Sequence, residues 1–350
     1  MLLQENIPLA PLTTFRIGGP ARFFVEALNA GQVEQAVVWA KAKDLPLFVL
    51  GGGSNLVVAD AGWPGLVLKI AIPGIEQRAG EQDGKILFDA GAGELWDRFV
   101  SHAVMAQCAG VECLSGIPGS VGGTPVQNVG AYGQEVAETI ESVLAFDRKE
   151  NQVRELCNEA CGFGYRGSIF NTAERGRFII LRVTYALAPG GAPRISYADL
   201  KRQFEGRETL PNLAETREAV RHIRALKGML IVSGDPDCQS AGSFFKNPVL
   251  SEEQHDELKR RADARGWTVP SYPALETRKK VSAAWLVERS GFTKGYGDGH
   301  VGISSKHALA IVNRGGATAA EVVAMKDQIQ QRVDEIWGVK LQPEPVMVGF

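Results

Sequence analysis

The chain has 350 residues, 40 of them glycine, with 45% hydrophobic residues and 38 basic against 40 acidic side chains. Ordinary hydrophobicity without a collagen period excludes disordered and fibrous classes, so a glycine content above the usual ~7% marks many sharp turns or close backbone approaches. The balanced charge argues against a nucleic-acid partner, whose phosphates are usually met by a basic surplus, whereas a small anion needs only a few local cations.

The spacing predicts a strand in ARFFVEA, an amphipathic helix in GQVEQAVVWAKAKD and a strand in LPLFVL, a βαβ pattern that runs into Gly51-Gly52-Gly53-Ser54-Asn55. A dinucleotide fingerprint would read GxGxxG and open a helix; here Leu56 takes the sixth position and LVVAD reads as another strand. There is also no GxxxxGK[ST], so a P-loop is excluded. From about Gly65 the segments GLVLKIA, KILFDAGAG, SVLAFDRKENQVREL and RFIILRVTYAL read as short strands with one helix, GELWDRFVSHAVMA, giving an α+β region with a largely antiparallel sheet. The stretch Arg194 to Leu200 reads as loop and TREAVRHIRALKG as a connecting helix. The remainder predicts a strand at AGSFFKNP and a helix at SEEQHDELKRRADARG, where Ser251 and Gln254 form a capping box. After these come VSAAWLVERS stopped by Gly291, a strand at HALAIVN, a helix from Thr318 to about Trp337 capped against Glu321, and a closing strand in LQPEPVMVGF.

The N-terminus MLLQENIPLAPLTTF has neither the basic nor the apolar region of a leader, and no window offers about 18 apolar residues for a membrane span. A cytoplasmic protein without a membrane partner is expected. The cysteines Cys108, Cys113, Cys157, Cys161 and Cys238 are odd in number and form no CxxC, against a disulfide framework or a zinc site. No metal is expected.

Five constellations carry candidate chemistry. Consecutive glycine amides at Gly51 to Gly53, with Ser54 and Asn55 beside them, suit a nest for phosphate or simply a sharp turn. The run from Gly110 to Gly133 packs seven glycines into 24 residues with Pro118, Pro125, Gln127 and Asn128, as backbone laid against an extended ligand would require. Gly164-Tyr165-Arg166-Gly167-Ser168 is a surface turn or an anion contact. In AGSFFKNP an alternating strand would turn Ser243, Phe245 and Asn247 to one side and Phe244 and Lys246 to the other, and no GxSxG surrounds the serine. Glu344 stands between two prolines that extend its backbone.

In order along the chain, TTFRIGGPA, GGGSN, IPGSVGGTPVQNVGAYG, GYRGS, AGSFFKNP, AAWLVERSG and the terminal PE resemble the UDP-N-acetylenolpyruvoylglucosamine reductase family, flavoenzymes that complete the UDP-muramic acid sugar of bacterial cell-wall synthesis. The resemblance implies an α+β, FAD-binding fold of the vanillyl-alcohol-oxidase type: residues 1–71 with 337–350 and residues 72–225 hold FAD, and residues 226–336 hold the UDP-sugar. It implies FAD contacts from Gly51, Gly52, Gly53, Ser54 and Asn55, and from Gly116, Ile117, Pro118, Gly119, Ser120, Gly122, Gly123, Gln127, Asn128, Gly130, Ala131, Tyr132 and Gly133. Neither GGGSN nor IGGPA contains the His or Cys that binds flavin covalently in relatives, so non-covalent FAD is expected, with NADPH as co-substrate. Ser243 is implied as proton donor, with Arg166 and Glu344 around the substrate carboxylate. Tyr165, Tyr197, Lys227, Asn247, Tyr272, Lys294 and His307 are implied as contacts to the sugar nucleotide, Tyr197 marking a lid loop. A bacterial, monomeric reductase of UDP-N-acetylglucosamine-enolpyruvate is the expected function; an oxidase of the same fold and a sugar-nucleotide module without activity are the alternatives.

Overall fold

The structure is a computed structural model describing residues 1–80, 84–274 and 277–350. It contains two compact units, one of residues 1–7, 20–53 and 63–230, the other of residues 8–19, 54–62 and 231–350.

The first unit contains the expected βαβ element. Strands Pro20–Ala27 and Leu47–Leu50 both pair in parallel with Trp63–Ile70, because helix Ala30–Ala42 carries the chain back between them. Asn29 caps this helix by accepting the Gln32 N–H at 3.0 Å. A second sheet is antiparallel throughout, with Phe178–Pro189 pairing Ile140–Asp147, Ile86–Gly91 and Cys108–Ala109. Helix Trp96–Met105 turns Trp96, Phe99, Val100, Ala103 and Val104 inward, a helical spacing that fills the unit's core.

In the second unit, strand Leu56–Val58 pairs in parallel with Val346–Val348, the chain's last strand. Its core gathers Phe15, Ile17, Phe244, Phe245, Leu286 and Trp337 among others. Helices Glu252–Asp263 and Ala319–Trp337 begin at the expected capping boxes, Ser251 with Gln254 and Thr318 with Glu321.

Three local expectations are corrected. AGSFFKNP forms no ladder beyond the single bridge Phe245–Pro343, and Phe244 and Phe245 are both buried, so side chains do not alternate across a face. The hydrophobic core takes two adjacent rings, which a regular strand cannot supply to one side. Residues Ala198–Gln203 are a short helix rather than loop, anchored by buried Leu200. The following helix runs Leu213–Leu226 from a capping box at Asn212 and Glu215, earlier than the apolar spacing indicates.

Asp147, wholly buried at the end of the Ile140–Asp147 strand, accepts hydrogen bonds from Arg177 Nε at 3.0 Å and Nη2 at 2.8 Å and from the Lys149 N–H at 3.0 Å. Chiefly the Arg177 hydrogen bonds hold its carboxyl down to about 2. A depressed folded value gives stability that is full above the unfolded value near 4 and is lost as pH falls through the folded one. In urea unfolding, Asp147→Asn is therefore less stable than wild type at pH 7, and the gap closes between about pH 4 and 2. A gap that stays constant over that window contradicts the assignment.

Candidate functional site

The parallel strand Leu47–Leu50 delivers Gly51, Gly52 and Gly53 directly onto the second glycine run. A Cβ on Gly52 would fall inside contact distance of the Gly119 backbone, and one on Gly51 would meet Ser120 Oγ at 3.0 Å. The run is pinned from the other side by the start of helix Trp96–Met105: Trp96 N–H donates to Gly119 O at 3.1 Å, Val121 N–H to Glu94 O at 2.9 Å and Gly122 N–H to Ala92 O at 2.9 Å. Between the two loops Ser120 is only 5% exposed, and its Oγ has no hydrogen-bond partner among the described residues. A buried unsatisfied hydroxyl is costly enough to require a reason, and a polar ligand atom supplies one. Gly123 is exposed, with nothing within 4 Å of where its Cβ would stand.

GYRGS joins the same assembly. Gly164 and Gly167 exchange backbone hydrogen bonds at 2.9 and 3.2 Å. Asn128 Nδ2 donates to Gly164 O at 3.0 Å, and Ser168 Oγ to Val126 O at 2.7 Å. Asn128, Tyr132 and Arg166 hold left-handed backbone at φ 45°, 49° and 53°, a conformation non-glycine residues adopt only where the surroundings over-determine it. The Tyr132 ring meets Tyr197 edge-on at 5.5 Å, and Lys227 Nζ donates to Asp199 Oδ2 at 2.6 Å, so Tyr132, Tyr197 and Lys227 share one corner.

Two groups beside Gly116 escaped sequence reasoning. Asp97 accepts from the Gly116 N–H at 2.6 Å, from Arg217 Nη1 at 2.6 Å and Nη2 at 2.9 Å, and from Arg221 Nη1 at 2.6 Å. Burial alone would raise its carboxyl, but these hydrogen bonds and the two arginine charges outweigh it and hold the group below the usual carboxylate range. Arg224 donates from Nη2 to Met229 O at 2.6 Å, while its Nε is buried without a partner among the described residues. A Cβ on Gly116 would stand 3.5 Å from that Nε. Sequence separations above 100 residues between Asp97 and its arginines leave no local signal.

The second unit assembles the other candidates. Glu344 N–H donates to Phe244 O at 2.8 Å and Lys246 N–H to Gln342 O at 2.9 Å, which sets Glu344 opposite the residue after Ser243. Asn55 Nδ2 donates to Glu344 O at 3.2 Å, and Thr14 Oγ1 to Ser240 O at 2.6 Å. Phe15 packs edge-on against Phe244 at 6.5 Å; TTFRIGGPA is thus the brace behind the serine loop. Asn247 does not share a strand face with Ser243, as its Oδ1 accepts the Ala283 N–H at 2.9 Å. Tyr272 is exposed on strand Ser271–Pro273. His307 Nδ1 accepts the Leu309 N–H at 3.0 Å. Exposed Lys294 precedes an open cavity of about 570 Å³ lined by Tyr296, Asp298, Val301 and Met325.

Residues 235–348 match the UDP-N-acetylenolpyruvoylglucosamine reductase C-terminal domain and residues 21–155 an FAD binding domain. The reductases of Streptomyces coelicolor and Thermobifida fusca are 46% and 44% identical to the chain, each over 99% of it and over 90% and 98% of their own lengths. The chain belongs to the UDP-N-acetylenolpyruvoylglucosamine reductase family. The crystal structure of the Thermus caldophilus reductase is similar at TM-score 0.66 and 27% identity, covering 99% of this chain and all of that one. The expected α+β FAD-binding fold, flavin dependence and oxidoreductase class are borne out, and the orphaned Ser120 hydroxyl between two glycine loops fits the cofactor.

Gly52→Ala drives the two loops apart and costs both apoprotein stability and FAD retention, whereas Gly123→Ala leaves the apoprotein melting point in place and weakens FAD alone. Thermal unfolding with and without added FAD checks this; equal behaviour of the two variants contradicts it.

Proposed function

We propose that the protein reduces the enolpyruvyl ether of UDP-N-acetylglucosamine-enolpyruvate to UDP-N-acetylmuramate with electrons from NADPH. The supporting observation is the pair of glycine loops around a buried, unpartnered Ser120 hydroxyl in a chain related to these reductases along 99% of its length. Bound FAD would supply the hydride chemistry that links NADPH to C3 of the enolpyruvyl group.

FAD is held without a covalent link by the loop from Gly51 to Asn55 and by the run from Gly116 to Gly133. The Gly116, Gly122 and Gly123 amides already donate to Asp97, Ala92 and Ser120, so Gly51 to Gly53, Ile117, Gly119 and Ser120 supply the backbone donors, while Pro118, which has no N–H, Gln127, Asn128, Gly130, Ala131, Tyr132 and Gly133 form the wall. Residues 1–71 with 337–350 and residues 72–225 serve the cofactor, and residues 226–336 serve the sugar nucleotide.

Arg166 and Glu344 flank the substrate carboxylate, the guanidinium stabilising the charge that develops on the enolic carboxyl. Ser243 gives its proton to C2 and regains one from solvent. A serine donates only to a strongly basic carbon, so its hydroxyl must be held at C2, and pairing of Phe244 with Glu344 supplies that restraint. Tyr165, Tyr197, Lys227, Asn247, Tyr272, Lys294 and His307 contact the sugar nucleotide. Lys227 and Lys294 oppose the diphosphate charge, and Tyr197 covers it. The enzyme acts as a cytoplasmic monomer, away from membrane and nucleic acid, and its product ties it to cell shape and division through peptidoglycan supply.

The purified protein is expected to be yellow, to bleach with NADPH under anaerobic conditions, and to recover colour with the enolpyruvyl substrate but not with air; recovery in air alone favours an oxidase. In stopped flow, Ser243→Ala slows reoxidation by substrate about 100-fold while bleaching by NADPH keeps its wild-type rate. Unchanged reoxidation removes Ser243 as proton donor.

A further inference from the structure

We propose that Lys69 is a positioning residue for the cofactor's pyrophosphate, fixing the Gly51–Gly52 peptide so that its N–H faces the anion. This rests on the placement of FAD at the two glycine loops. Lys69 interrupts the apolar strand Trp63–Ile70 between Leu68 and Ile70, which are 0% and 4% exposed. In the parallel pairing Leu50 stands beside Lys69, so the lysine side chain reaches the first residue past the strand end. Its ammonium donates to Gly51 O.

Across a trans peptide the carbonyl and the following N–H point in opposite directions. With the Gly51 oxygen held by Lys69, the Gly52 N–H is directed away from the lysine. The Gly119 backbone lies so close that a Cβ on Gly52 would overlap it, which keeps this peptide in place, and Ser120 Oγ, without a partner among the described residues, lies beside Gly51. A peptide turned the other way would aim a carbonyl at a phosphate. Burial lowers the Lys69 pKa, and the charge of Glu26 on the neighbouring strand opposes that shift. A cation half-withdrawn from water on an apolar strand is a cost that packing does not explain.

The test uses full-length protein stripped of FAD and titrated with FAD or with riboflavin, which lacks the pyrophosphate, followed by flavin fluorescence. Lys69→Met weakens FAD about tenfold or more, the scale of losing one charge-assisted hydrogen bond, and leaves riboflavin within about twofold. Lys69→Arg recovers most of the loss. If Lys69→Met fails to fold by circular dichroism, Lys69→Gln serves in its place and shows the same selectivity. Equal losses for FAD and riboflavin assign Lys69 to loop folding and overturn the proposal. Ser120→Ala is the companion variant: if it weakens FAD while Lys69→Met does not, Lys69 is excluded and the placement stands; if neither weakens FAD, the placement itself is wrong.

Discussion

The approach of Gly52 to Gly119 is the constraint on which the two glycine loops depend. Two loops distant in sequence touch backbone to backbone, and only the missing side chain permits it. Each loop is anchored separately: Gly51 to Gly53 by a parallel strand end, the longer run by Trp96, Val121 and Gly122 hydrogen bonds around the start of one helix. The contact closes off Ser120 from water and leaves its hydroxyl for a ligand. Much of the glycine surplus therefore makes room for protein against protein. A Cβ on Gly122 would stand 2.7 Å from that of Ala92, and Gly65 and Gly93 lie against the backbone of Pro46 and Ala71. Gly123 instead opens onto free space.

The Ser243 loop uses the opposite strategy. It is braced by side chains: Phe15 against Phe244, Thr14 on the Ser240 carbonyl, Asn55 on the Glu344 carbonyl. Burying two consecutive aromatics, Phe244 and Phe245, turns the segment out of regular strand geometry and leaves the small residue before them, Ser243, half-buried. Prolines on both sides of Glu344 keep its neighbours from adding competing N–H donors, while its own N–H still reaches Phe244 O.

What the sequence made legible was local or compositional. Ser251 with Gln254 and Thr318 with Glu321 announced helix starts because a cap and its partner lie three residues apart. The βαβ element was readable from period alone. The serine loop was misread because alternation was assumed where the core demanded adjacent rings. Asp97 with Arg217 and Arg221, Lys69 on Gly51, and Arg224 beside Gly116 were invisible, since each joins residues brought together only by tertiary folding. The left-handed backbone at Asn128, Tyr132 and Arg166 was equally hidden, because none of these residue types requires it.

The proposed cofactor site lies against the two touching glycine loops. Amide hydrogen exchange on the full chain, with FAD bound and after its removal, tests this directly. Protection on binding is expected at residues 51–53 and 117–123, with helix Glu252–Asp263 unchanged. Identical exchange at both loops with and without FAD would place the cofactor elsewhere.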